Sequence, residues 1–226
     1  MSARYNKLYE EPAYGLSETA VYLKVPYTTL RYWLTGFSKR PPIIEPVALN
    51  PIRLSFLNLL ECHALAGMRK IYNLKLPKVR SALRKVSEQF PQSHPLISEV
   101  FLTDRKDLFI ERMGQIVNVS RQQDQLSLEF YRMHLERVQV GPKGLFRFFP
   151  FVVAPSSSER KTIEINPMVG FGKPVIAGTG ISTAIIASRF NARESITTLA
   201  EEYGCTPQQI EEAIRWERAI PLPVAA

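Results

Sequence analysis

Cysteine is nearly missing from this chain. Two residues in 226, Cys62 and Cys205, are too few and too far apart for a disulfide scaffold. Histidine occurs three times, at 63, 94 and 134, never as H-E-x-x-H. Cys62 and His63 are adjacent, so on a helix they face different sides and form no metal pair. Neither a G-x-S-x-G elbow nor a paired-aspartate motif nor a Cys/His nucleophile setting occurs, which argues against an enzyme. No apolar run approaches the roughly 18 residues of a membrane span, and MSARYNKLYEEP lacks the apolar stretch of a signal peptide. The expectation is a soluble, cytoplasmic protein with no membrane partner, no metal and no cofactor.

Positive charge is present in excess but unevenly spread. The formal net charge is +8. Residues 1–90 carry 14 Lys/Arg against 6 Asp/Glu, residues 91–160 carry 9 against 8, and residues 161–226 carry 6 against 7. The excess therefore belongs to the first segment. Local positive charge attracts polyanions through long-range steering and counterion release, so nucleic acid is the partner it suggests.

Two breaks divide the chain. Phe90-Pro91-Gln92-Ser93-His94-Pro95 cannot continue a helix, and Ala154 to Arg160 reads as a polar linker. The segments are 1–90, 96–153 and 161–226, and the expected class is mainly α with a small β component. The first segment reads as short helices from Ser17 and after Pro26, a buried helix over 54–70, and another over 76–90 whose apolar face is Val79, Ala82, Leu83, Val86 and Phe90. Alternation over 101–119 and 144–153 predicts strands, with a helix over 126–138 between them. The last segment predicts helices near Thr183–Phe190, Ser195–Tyr203 and Pro207–Arg218.

The stretch Tyr14 to Trp33 predicts a helix-turn-helix. Leu16, Ala20, Val21 and Leu23 can pack against Leu30 and Leu34 across the short turn Lys24-Val25-Pro26. That leaves Tyr27, Thr28, Arg31 and Tyr32 exposed on the second helix, with Thr29 partly so. Threonine can meet a phosphate or a thymine methyl, and Arg31 can bind phosphate or guanine in two-pronged fashion. Thr29-Leu30-Arg31-Tyr32-Trp33 resembles the T-L-R-Y-Y of the MerR family's DNA-binding domain. The resemblance implies a winged helix-turn-helix with its wing over residues 37–44. It implies further that Arg31 and Tyr32 hold phosphates, Thr28 faces bases, and Lys39 and Arg40 flank the duplex. Ser17, at the start of the first helix, is included among the DNA-contacting residues. Pro26 replaces the family's usual capping serine, and Leu34 stands where a glutamate is usual.

The glycine-rich stretch Gly170 to Ile181 fits neither phosphate loop. Lys173 precedes Pro174 and the later glycines, and the third glycine of G-x-G-x-x-G is missing. The glycines are read instead as allowing tight turns with positive φ. Beyond them Ile196, Leu199, Ala200 and Tyr203 form a helical stripe. Gly204 suits a stop, and Thr206, Pro207 and Gln209 form a capping box before Ile210, Ala213 and Ile214. Glu201, Glu202, Glu211 and Glu212 are read as an exposed acidic face, which points to a protein-contact or dimer module. Gly172-Lys-Pro-Val-Ile176, Gly178-Thr179, Glu194-Ser-Ile196 and Leu199-Ala-Glu-Glu-Tyr203 resemble a short domain family common in bacterial antitoxin operons. Gly180 and Ser182 replace that family's frequent arginine and proline.

Taken in order, the segments resemble a large VapB-type antitoxin. The resemblance implies an autorepressor that binds operator DNA as a homodimer and silences a PIN-type ribonuclease toxin. The final helix and tail carry Arg215, Trp216 and Arg218, with Ile214 and Ile220 beside them. Two arginines around an aromatic suit capture of a carboxylate-rich toxin site; equally, both arginines can complement the negative end of the helix. Two rival readings stay open: a MerR-like regulator whose middle segment senses a small ligand, without a toxin partner, and a nucleotide-handling enzyme using the glycine loop.

Overall fold

Helix α3 (Phe56–Tyr72) is built to be covered. Residues 54–65 are buried without exception, Glu61 and His63 included. A helix with no solvent face lies within a core rather than beside one. Its start is closed by a reciprocal pair in which the Ser55 amide donates to Asn58 Oδ1 at 3.2 Å and the Asn58 amide to Ser55 Oγ at 3.1 Å. Asn58 Nδ2 also reaches the Glu45 carbonyl at 3.0 Å, and Glu61 pairs with His94 at 3.0 Å. Buried Asn58 and Glu61 thus each have a hydrogen-bond partner.

The computed structural model describes residues 7–37, 40–72, 80, 94, 96, 132–141, 146–152 and 160–219. The fold is mainly helical, with small antiparallel sheets. Strand β1 (Tyr14–Gly15) leads into α1 (Leu16–Leu23), and α2 (Tyr27–Thr35) follows a short turn whose Lys24 is left-handed at φ 52°. Strands β2 (Ala48–Leu49) and β3 (Ile52–Leu54) form a hairpin around the cis Asn50–Pro51 peptide. The sheet order is β1-β3-β2, with Tyr14 opposite Leu54 and Ala48 opposite Arg53.

The hairpin corrects one expectation. Residues 37–44 were predicted to form the wing, yet there the chain makes one bridge, Phe37 to Arg40. Pro41 and Pro42 remove the donors a ladder needs. The Ile43 and Ile44 amides both turn to the Trp33 carbonyl, at 2.7 and 3.2 Å, so this stretch seals the end of α2.

In the middle segment residues 132–135 are helical, but the helix predicted to 138 stops sooner. Strand β4 (Val138–Val140) begins there and pairs with β5 (Phe146–Phe148), Val138 opposite Phe148. Buried Arg137 explains the break. It donates to the carbonyls of Phe149 at 2.6 Å, Pro150 at 2.9 Å and Arg160 at 3.2 Å, pulling the chain out of helix to meet β5. The strands predicted over 101–119 lie outside the described residues, as does the helix over 76–90 apart from Arg80.

A bridge between Phe148 and Ile165 joins β5 to the C-terminal segment. There β6 (Ile163–Glu164) pairs with β7 (Val175–Ile176), a short sheet that the sequence pattern did not reveal. Three helices follow where the spacing predicts them: α4 (Thr183–Asn191), α5 (Ile196–Tyr203) and α6 (Pro207–Arg218). Thr206 Oγ1 accepts from the Gln209 amide at 3.2 Å, as the capping box requires. Gly178 and Gly180 take φ of 77° and 76°.

The centre of the core is a pair of imidazoles. His63 and His134 stack with ring centroids 4.0 Å apart and planes 9° from parallel. His63 Nε2 donates to the His134 carbonyl at 2.8 Å, and His134 Nε2 donates to the His63 carbonyl at 3.1 Å. The His134 ring lies flat on the backbone of α3 at Gly67. A Cβ there would stand 2.5 Å from His134 Cδ2 and 2.9 Å from Cγ. Mid-helix Gly→Ala ordinarily gains up to about 1 kcal/mol. Here overpacking against a hydrogen-bonded ring costs roughly 1–3 kcal/mol and decides the sign. Gly67→Ala is therefore expected to destabilise the protein in urea unfolding; a gain in stability would show that His134 does not occupy this place.

Candidate nucleic-acid interface

The helix pair α1–α2 is held from behind. Leu30, Trp33 and Leu34 of α2 are at most 1% exposed, and Leu23 of α1 packs with them in the same core. This leaves the opposite side of α2 outward. Tyr27 is 48% exposed, and Thr28 and Arg31 are exposed. Ser17 is exposed at the first turn of α1. Thr29 is half-buried and turns toward the interior. Lys39 lies outside the described residues.

Tyr32 is half-buried beside Phe37, ring centroids 6.2 Å apart, and Phe37 itself is 71% exposed. Arg40 and then Arg80, both within reach of the phenol, hold the Tyr32 pKa below the ordinary phenol value. The Arg80 guanidinium lies 5.6 Å from the Tyr32 ring centroid and donates to the Pro41 carbonyl. Arg31, Tyr32, Phe37, Arg40 and Arg80 thus gather around the end of α2. Arg80 was not among the candidates, because the amphipathic pattern assigns it to a helix face without saying what that face meets.

The C-terminal residues are placed differently from one another. Arg215 is exposed and pairs with Glu211 at 3.4 Å, and exposed Arg218 lies 5.5 Å from the Phe190 ring. Trp216 is 1% exposed, its ring 5.4 Å from that of Tyr22 in α1. Ile214 is buried as well. Of the acidic face, Glu202 is bound by Arg189 at 2.6 Å, which holds its carboxyl below the usual range; Glu211 and Glu212 are half-buried. Arg189 also binds Glu194 and lies 5.2 Å from the Tyr203 ring. Of the four glutamates, Glu202 and Glu211 are thus paired within the module, while Glu201 is exposed. Phe171, flanked by glycines and with φ 53°, stands out at 96% exposed, with Met168 at 54%. The glycine loop presents an aromatic side chain that the turn reading did not foresee.

The module docks on α1 through more than Trp216. Tyr14 Oη donates to the Gly172 carbonyl at 3.0 Å. Lys173 Nζ meets Glu18 at 2.7 Å, and the same carboxylate accepts from Tyr22 Oη at 2.8 Å. Burial, then the negative charge of Glu18, raises the Tyr14 and Tyr22 phenols above their ordinary value, so both stay protonated donors.

Among the described residues no cluster of three His, Cys, Asp or Glu could hold a metal, and no helix is long and apolar enough to cross a membrane. Residues 163–216, which contain β6, β7, α4, α5 and most of α6, match the family model described as "Protein of unknown function (DUF433)". Over nearly the whole chain there are curated relatives, both from Mycobacterium tuberculosis. The protein named "Putative antitoxin VapB45" is 25% identical, covering 91% of this chain and 94% of its own. The "Uncharacterized protein Rv2308" is 22% identical, covering 92% and 91%. The crystal structure of Rv2018 from the same organism shares the fold, with a TM-score of 0.68 at 23% identity over 91% of this chain and 99% of that one.

Proposed function

We propose that this chain is the antitoxin of a toxin–antitoxin pair and a non-catalytic, cytoplasmic regulator that represses its own operon. The carrying observation is the outward face of α2, where Tyr27, Thr28 and Arg31 project from a helix fixed by Leu30, Trp33 and Leu34. Residues 1–90, which contain that helix, carry the positive excess of the chain. In this reading α2 enters the major groove in MerR-like fashion. Arg31 and Tyr32 hold phosphates, Thr28 meets base edges, and Ser17, Lys39 and Arg40 contact the flanking backbone. Thr29, turned inward, braces the helix more than it touches DNA. Operators for such domains are inverted repeats, so the acting species is a homodimer.

The toxin half of the proposal rests on the name of the relative that matches over nine-tenths of both chains. A PIN-type ribonuclease gathers carboxylates around its metal ions, and a guanidinium can neutralise them. Arg215 and Arg218 are the exposed cations of α6 suited to this task. Trp216, being spent on Tyr22, supports them from beneath and does not meet the toxin directly.

Arg31→Ala should weaken binding to the chain's own upstream DNA by roughly 1–3 kcal/mol if Arg31 reads a base, or lower the salt slope by about one if it holds a phosphate. A gel-shift titration across salt concentrations checks this, and unchanged affinity with the fold intact would remove α2 from the interface. Replacing Arg215 and Arg218 together by alanine should leave that DNA affinity intact. The same change should reduce protection of RNA from the nuclease encoded alongside. Full protection by the double variant would move the inhibitory surface elsewhere.

A further inference from the structure

Behind the outward face of α2 lies an open-sided cavity of about 330 Å³. That is the size of a small-molecule pocket. The helix-turn-helix supplies one part of its lining, with Leu23 from α1, Val25 and Pro26 from the turn, and Thr29 and Trp33 from α2. Helix α3 supplies Ala66 and Arg69, and the middle segment supplies Phe148 and Phe151. Most of this lining is apolar or aromatic, as ligand pockets are, and the polar groups are few.

Those polar groups share one sign. Lys24 and Arg69 are cations, Thr29 offers a hydroxyl, and no acidic residue is among the described residues lining the cavity. Arg69 is half-buried, yet among the described residues no carboxylate pairs with it. Its guanidinium lies 5.8 Å from the centroid of the Trp33 ring. Arg69 Nε and Trp33 Nε1 are both buried without a hydrogen-bond partner. A guanidinium partly withdrawn from water, with its Nε unpartnered, gains a charge-assisted hydrogen bond when an anion binds.

The two imidazoles of the lining do not change this balance. Each Nε2–H is already given to the other residue's carbonyl. Burial lowers the His63 pKa to about 4, so that ring is neutral near pH 7. The wall is therefore aromatic on one side and cationic on the other.

We propose that this cavity is a binding site for a small aromatic carboxylate, with the carboxylate toward Arg69 and Thr29 and the ring against Val25, Ala66 and Phe148. The site stands on the cavity and its charge alone. Its link to regulation rests on the DNA reading above. A ligand touching Thr29 and Trp33 touches the helix placed in the groove, so ligand and DNA affinities would then be coupled reciprocally.

The test is calorimetric titration of the full chain with naphthalene-2-carboxylate and with the neutral 2-naphthylmethanol, no DNA present. The acid should bind saturably, at least about tenfold more tightly than the alcohol, as one charge-assisted contact allows. Arg69→Met should remove that preference while leaving the alcohol's affinity unchanged. Ala66→Phe, which fills the space, should abolish binding of both. Far-UV circular dichroism and cooperative melting confirm folding; if Arg69→Met fails to fold, Thr29→Val and Ala66→Phe carry the test, Thr29→Val weakening the acid selectively. No saturable binding of the acid to the folded chain would overturn the assignment. So would equal affinity for acid and alcohol, a folded Arg69→Met that keeps the preference, or a folded Ala66→Phe that binds normally.

Discussion

Trp216 lies near the end of the last helix and is covered by the first, its indole 5.4 Å from the Tyr22 ring and 5.9 Å from Lys24 Nζ. An indole removed from water is among the largest single apolar contributions a side chain can make. Its removal costs on the order of 3–5 kcal/mol where the site cannot collapse. Around it the contacts are polar and mutually supporting. Glu18 accepts from its own helix start at Gly15 at 3.2 Å, from Tyr22 at 2.8 Å and from Lys173 at 2.7 Å. One carboxylate thus caps α1, orients the tyrosine that meets Trp216, and ties down the glycine loop. Because both phenols are held protonated, these hydrogen bonds persist across the neutral range.

This joint gives α1 a second task. On one side it packs with α2, whose outer face carries Tyr27, Thr28 and Arg31; on the other it receives the module matched by the family model. The C-terminal helices thus pack on the helix directly before the proposed recognition helix. Lys24 stands at the crossing, in the turn between α1 and α2, near the Trp216 ring and in the lining of the cavity. Besides the Tyr22–Trp216 pair, the contact between the module and α1 includes the Lys173–Glu18 ion pair.

Sequence patterns revealed local structure well and partners poorly. The last three helices are legible because their stripes, the stop at Gly204 and the Thr206–Gln209 box are all local signals. Helix α3 is legible from its apolar density, but its use as a two-sided core element is not, since periodicity names a face and not what covers it. The same limit hid the role of Trp216. As the aromatic residue of a tail rich in arginine it reads as an interface anchor, and its actual neighbour lies almost two hundred positions earlier. The hairpin was displaced from 37–44 to 48–54 because two prolines silence the earlier stretch, a local fact that the family resemblance outweighed. Arg137 ended a helix early through bonds to three carbonyls that no pattern in the sequence marks. Of the candidate interface, the outward positions of Tyr27, Thr28 and Arg31 follow from the spacing of Leu30, Trp33 and Leu34, while Arg80 and Phe171 do not.

Differential scanning calorimetry of the full chain is the most direct test of the joint. With α1 and α6 sharing Trp216, the helix-turn-helix and the C-terminal module should melt as one unit, in a single transition whose calorimetric and van't Hoff enthalpies agree. Trp216→Ala should lower that transition and split it into two. Two resolved transitions in the unaltered chain, neither of them moved by Trp216→Ala, would contradict the account.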